Sequence, residues 1–119
     1  TEMVGSFFLT ATAALSGDPF AVGSVLLVLV YLGDHVSGAE YNPAVTLAMA
    51  LRFRVPSRDY VVVVAKMLAQ LAGSIAGGFT ARGLAGTVKY PGGDDSNTHG
   101  QGALSAFSYE TVMTVMLVL

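Results

Sequence analysis

Ser37-Gly38-Ala39-Glu40-Tyr41-Asn42-Pro43-Ala44-Val45-Thr46 is a polar, glycine-containing break set between two long apolar runs. Asn42 is a residue type that caps a helix N-terminus, and Pro43 fits the first helical position, where a missing N–H is no loss. The helix that these residues open, Asn42 to Leu51, is short. At 1.5 Å per residue it spans roughly 15 Å, about half of a ~30 Å hydrocarbon core. A half-length helix between membrane helices presents backbone polarity at mid-membrane depth, where irregular backbone is tolerated only beside protein or a water-filled cavity.

Composition decides that the surroundings are lipid. Of 119 residues, 53% are hydrophobic and only 12% are charged, with a mean hydropathy of +0.62. A soluble domain carries about 25% charge, so too little polar surface is present to cover a water-exposed globule. The absence of cysteine excludes disulfides, thiolate zinc sites and thiol catalysis. A net charge of −2 gives no nucleic-acid footprint.

The chain divides into apolar segments separated by turn signals. Segment one runs from about Glu2 to Leu15 and ends at Gly17-Asp18-Pro19. Segment two runs from about Phe20 to Gly33, and Asp34-His35 marks its polar boundary. After the half-helix, Arg52, Arg54, Pro56 and Arg58 form a basic connector, with Ser57 as the expected cap of segment three, Tyr60 to about Phe79. A polar loop from Arg82 to Gln101 leads to segment four, which begins near Leu104. Thr1 reads as an internal cut and Leu119 lies inside an apolar run, so both ends are expected to be truncated. The three arginines of the connector face only Asp59, whereas Arg82 and Lys89 share their loop with Asp94 and Asp95. The positive-inside rule therefore places the connector on the cytoplasmic side.

A faint internal repeat is also present. Glu2 precedes Ser6 by four residues in one apolar helix, and Glu110 precedes Thr114 by four in another. With three spans between the copies, the second is inverted, an arrangement typical of transport proteins. Acidic residues inside apolar helices are costly against lipid, so Glu2 and Glu110 are not expected to face it; an interfacial position is the other reading of Glu2. Gln70 bonds irregular backbone nearby or makes a generic interhelical contact. Ala69, Gly73 and Gly77 form a small-residue packing stripe.

Taken together, Ser37-Gly38-Ala39, Asn42-Pro43-Ala44-Val45-Thr46, Glu2, Ala69-Gln70 with Gly73, and the run from Phe107 to Val118 resemble the first half of the major intrinsic protein family, the aquaporins and glycerol channels. The resemblance implies an all-α membrane fold: three transmembrane helices, one re-entrant half-helix and the start of a fourth helix. The first repeat would occupy about 1–84, a loop 85–103, and the start of the second repeat 104–119. It implies a passive channel for water or small neutral solutes, embedded in a lipid bilayer of plasma or vacuolar type. It implies a homotetramer when full length, and neither enzyme activity, cofactor, metal nor nucleic-acid partner.

Carried over residue by residue, the resemblance makes Asn42, Pro43 and Ala44 the pore-lining motif. It puts Val22, twenty residues before Asn42, at the outer selectivity constriction. There valine leaves a wider or more apolar rim than the aromatic of water-selective members. His35 and Glu40 fall at the cytoplasmic vestibule, and Glu2, Gln70 and Glu110 become structural polar support, the glutamates accepting hydrogen bonds from re-entrant loop groups. Three residues depart from the family pattern. Glu40 stands where histidine is common, and is either a responsive acid of the vestibule or a solvated loop acid. Asp34 has His35 or a connector arginine as partner. Lys66 either snorkels or pairs with a buried acid. A membrane enzyme built on Asp34, His35 and Glu40 lacks a nucleophile or metal-ligand set. The remaining alternative is a non-conducting truncated fragment that acts only in assembly, since no second Asn-Pro-Ala is present.

Overall fold

The computed structural model describes residues 1–53 and 59–86. Among them the chain is all-α, in four helices: α1 (Glu2–Ser16), α2 (Pro19–Ser37), α3 (Pro43–Arg52) and α4 (Tyr60–Ala85).

Local chemistry sets each boundary. Gly17 adopts the left-handed conformation at φ 61°, and its N–H closes α1 on the carbonyl of Ala13. Asp18 then caps α2 by accepting from the Phe20 N–H at 3.1 Å, with Pro19 in the first helical position. Two residues thus reverse the chain and lay α2 against α1. α2 does not stop at Gly33. It continues through Asp34 and His35 to Ser37, and ends where Gly38 turns left-handed at φ 86°. Asp34-His35 marks a change in polarity, but no helix terminator is present until that glycine. In the same way α4 runs past Phe79 and Arg82 to Ala85, and Gly86 closes it on the Arg82 carbonyl at 2.9 Å. Asp59 occupies the N-cap position of α4. Ser57, the connector residues Arg54, Pro56 and Arg58, and the whole of 87–119 lie outside the described residues.

The packing inverts that of a soluble protein. Buried polar side chains are Glu2, Ser6, Thr46 and Gln70, whereas Phe20, Leu27, Tyr31, Leu32, Val61, Leu71 and Phe79 are exposed. Among the described residues α2 buries only Gly33. An apolar exterior around a polar interior is stable where the solvent is hydrocarbon. α2 and α4 have the length and composition to cross a membrane, and α3 has not.

α1 is the centre of the assembly. It packs along α4 and against α2, and α3 packs on α4; no Cα of α2 comes within 8 Å of one in α3 or α4. The α1–α4 crossing is close because glycine allows it. A Cβ at Gly73 would collide with the backbone carbonyl of Met3, and one at Gly77 with that of Phe7. Two residues four apart on each helix therefore meet backbone to backbone, the small-residue contact that membrane helices use. The buried face of α4 is Gln70, Gly73, Gly77 and Ala81. The expected stripe is confirmed at Gly73 and Gly77, but Ala69 is only half-buried.

Candidate functional site

The carboxylate of Glu2 organises the interior. Its Oε1 accepts from Ser37 Oγ at 2.5 Å and from the Glu40 N–H at 3.3 Å. Its Oε2 accepts from the Tyr41 N–H at 2.8 Å and from Gln70 Nε2 at 2.7 Å. A carboxylate offers about four lone-pair positions, and here four donors occupy them. Those donors come from the end of α2, from the loop and from α4. Gln70 also exchanges hydrogen bonds with Thr46, giving from Nε2 at 2.8 Å and accepting at 3.2 Å. The half-helix is thereby fixed to α4 and, through Gln70, to Glu2. Gln70 has no exposed surface, and the hydrogen bonds it makes run to side chains of α1 and α3, between helices rather than to loop backbone.

The loop conformation depends on these anchors. Ala39 and Tyr41 have φ of 48° and 50°, in the left-handed region that side chains seldom enter. Such backbone persists where the surroundings over-determine it. Ser6 Oγ donates to the carbonyls of Glu2 and Tyr41 at 2.9 Å each. The Tyr41 ring lies against Gly5 and Gly33, where any Cβ would overlap it, and its hydroxyl donates to the Leu29 carbonyl at 2.7 Å. Burial, and then the negative charges of Glu2 and Asp34, push that hydroxyl above its ordinary range, so it remains a donor.

Asn42 stands at the end of this supported loop. Its backbone is extended, and its Oδ1 accepts from the Ala44 N–H at 2.8 Å, closing the cap of α3. With Oδ1 so engaged, Nδ2 makes no hydrogen bond among the described residues. Pro43 occupies the first turn and is half-buried; Ala44 is exposed.

The remaining expected residues are not gathered in one place. Val22 sits in the first turn of α2, about 22 Å of helix away from Ser37 at 1.5 Å per residue. His35 is exposed on the last turn of α2, and Asp34 beside it is exposed as well. Glu40 is not a solvated acid. Its Oε1 lies 3.4 Å from Lys66 Nζ of α4, and its side chain is 14% exposed. Lys66 thus pairs with an acid, and two departures from the family pattern answer each other. No hydrogen bond or ion pair joins His35 to Glu40 among the described residues. Glu110 lies outside them.

Four contributors were missing from the sequence expectation: Ser6, Ser37, Tyr41 and Thr46. Ser6 had a signal, four residues after Glu2 in the repeated pattern. Ser37 and Thr46 stand at the two ends of the motif. Tyr41 had none, because its slot is made by glycines far away in the chain.

A family model described as Major intrinsic protein matches residues 3–119. The chain belongs to this family. Nodulin-26 of Glycine max is 37% identical over 134 residues, covering 98% of this chain and 46% of the relative. An aquaglyceroporin, AqpS, of Rhizobium meliloti (strain 1021) is 45% identical over 71 residues, covering 58% of this chain and 29% of the relative. Aquaporin Z of Rhodopseudomonas palustris is 30% identical over 138 residues, covering 98% and 58%. The chain therefore spans about half the length, or less, of these curated relatives. No solved structure matches the chain. Membership of the major intrinsic protein family and the apolar exterior of α2 and α4 make this a membrane protein.

Proposed function

We propose that this chain is the first pore-forming half of a passive channel for water and small neutral solutes, without enzymatic activity. The observation that carries the reading is Asn42. Its Oδ1 is committed to the cap, so its Nδ2 is left to donate to a passing oxygen. The helix behind it adds a partial positive charge of roughly +0.5 at its N-terminus. That field disfavours cations and opposes proton relay along a file of water; aquaporin-type pores are the known instance of this rule. The printed names aquaporin and aquaglyceroporin among the relatives support the same solute class.

In this reading Asn42, Pro43 and Ala44 line the pore, and Val22 forms part of an outer rim. His35 and Glu40 lie toward the cytoplasmic mouth. Glu2 and Gln70 are the polar support of the half-helix, with Glu110 as the counterpart of Glu2 in a second repeat beginning near 104. The chain is multi-pass with the arginine connector in the cytoplasm. Full-length subunits associate as homotetramers through small-residue contacts rather than charge.

Asn42→Asp is the decisive substitution, because aspartate caps a helix as well as asparagine does but lacks the Nδ2 donor. The channel is reconstituted in proteoliposomes, and water and glycerol flux are followed by stopped-flow light scattering. Flux above empty vesicles that falls with Asn42→Asp supports the pore; unchanged flux removes Asn42 from it. The second reading is a non-conducting fragment that acts only in assembly. It predicts no flux above the lipid background from this chain alone.

A further inference from the structure

The Glu40–Lys66 pair joins the loop between α2 and α3 directly to α4. No Cα of α2 comes within 8 Å of one in α4. Lys66 Nζ nevertheless reaches the end of α2, since a Cβ on Gly38 would lie 3.8 Å from it and 3.8 Å from Glu40 Oε1. The ammonium therefore sits between the Glu40 carboxylate and the C-terminal cap of α2, the end of a helix that favours a cation. Residue 40 is held twice: its N–H by Glu2 of α1, and its side chain by Lys66 of α4. Both chain neighbours, Ala39 and Tyr41, are in the left-handed region and need such holding. The Glu40 Oε2 atom is buried and has no hydrogen-bond partner among the described residues, so the carboxylate depends on Lys66 for its neutralisation.

We propose that Glu40 and Lys66 act as one positioning unit, which ties the loop 38–42 to α4 and holds Asn42 in register for solute passage. This rests on the channel reading for its consequence in flux, but not for the coupling itself. The unit is asymmetric. Removing Lys66 strands a buried carboxylate, whereas removing Glu40 leaves a lysine that can extend toward water. Removing both leaves neither charge.

The test is a double-mutant cycle on the whole chain in lipid nanodiscs, using Lys66→Met, Glu40→Gln and the two together, with Lys66→Arg as the conservative variant. Amide hydrogen exchange of peptides covering 38–46 reads the loop directly and needs no flux. Lys66→Met is expected to speed exchange there about tenfold, with Glu40→Gln doing less, and the double variant and Lys66→Arg returning toward the parent. If Lys66→Met does not fold, a double variant that does fold is the rescue that coupling predicts, and a double variant that also fails to fold while Glu40→Gln folds overturns the proposal. Additive effects, or exchange indifferent to Lys66, would overturn the proposal. Water flux in proteoliposomes is then measured on the same variants. Coupled exchange with no flux from the unsubstituted chain would leave the positioning unit standing and favour the non-conducting reading of this chain. Coupled exchange with flux that ignores the pair would overturn the claim on solute passage.

Discussion

Gln70 illustrates how one buried amide can tie three elements together. It donates to Glu2 and Thr46 and accepts from Thr46, all without exposure. Gln70→Leu keeps the volume but leaves Glu2 one donor short. A cost of about 3 kcal/mol is expected, read as a lowered unfolding midpoint in detergent. Tyr41 offers a sharper residue-level test. Tyr41→Phe loses one hydrogen bond, worth about 1 kcal/mol, while Gly33→Ala drives a methyl into the hydroxyl. In the double variant the collision is relieved, so the two costs should fall clearly short of their sum in the same unfolding assay. On the channel reading, in which Val22 belongs to the outer rim, Val22→Phe should lower glycerol permeability more than water permeability in stopped-flow measurements. Glu2 and Gln70 were legible in the sequence because a polar residue in an apolar helix needs a reason, and Asn42 was legible as a helix cap because it stands directly before a proline. Tyr41 was not. A tyrosine in a loop is ordinary until φ and two remote glycines turn it into a peg.

At the scale of elements, neighbouring glycines on α4 should respond with opposite sign. Gly77 faces the Phe7 carbonyl, whereas the nearest atom to a Cβ on Gly78 is Thr10 Cγ2 at 3.9 Å, an ordinary contact. Gly77→Ala is expected to push α1 from α4 and destabilise the chain. Gly78→Ala is expected to be neutral, or to stabilise by about 0.5–1 kcal/mol through the better helix propensity of alanine. Thermal unfolding of the two variants side by side checks this. The half-helix was read correctly to within a residue because asparagine and proline fix its start. The ends of α2 and α4 were placed too early, since charge was taken as the boundary. Asp34, His35 and Arg82 ride on the last turns, and the true terminators are Gly38 and Gly86. The packing stripe was legible as a period of four, but its third member depended on helix rotation that period alone does not set.

For the whole molecule, the inverted distribution of polarity follows from composition, whereas the central place of α1 does not. α1 is shorter than α2 and α4, yet it carries the crossing with α4 and the carboxylate that organises the loop. The partners of that carboxylate are spread along the chain: Ser37 is 35 residues away and Gln70 is 68. A ribosome delivers them in that order, N-terminus first. While α1 and α2 enter the bilayer, Glu2 therefore waits without its amide donor, and the glycine surface that receives Met3 and Phe7 has not been made. α1 can complete these contacts only once α4 has emerged. The last-made helix of the four thus decides whether the first is seated.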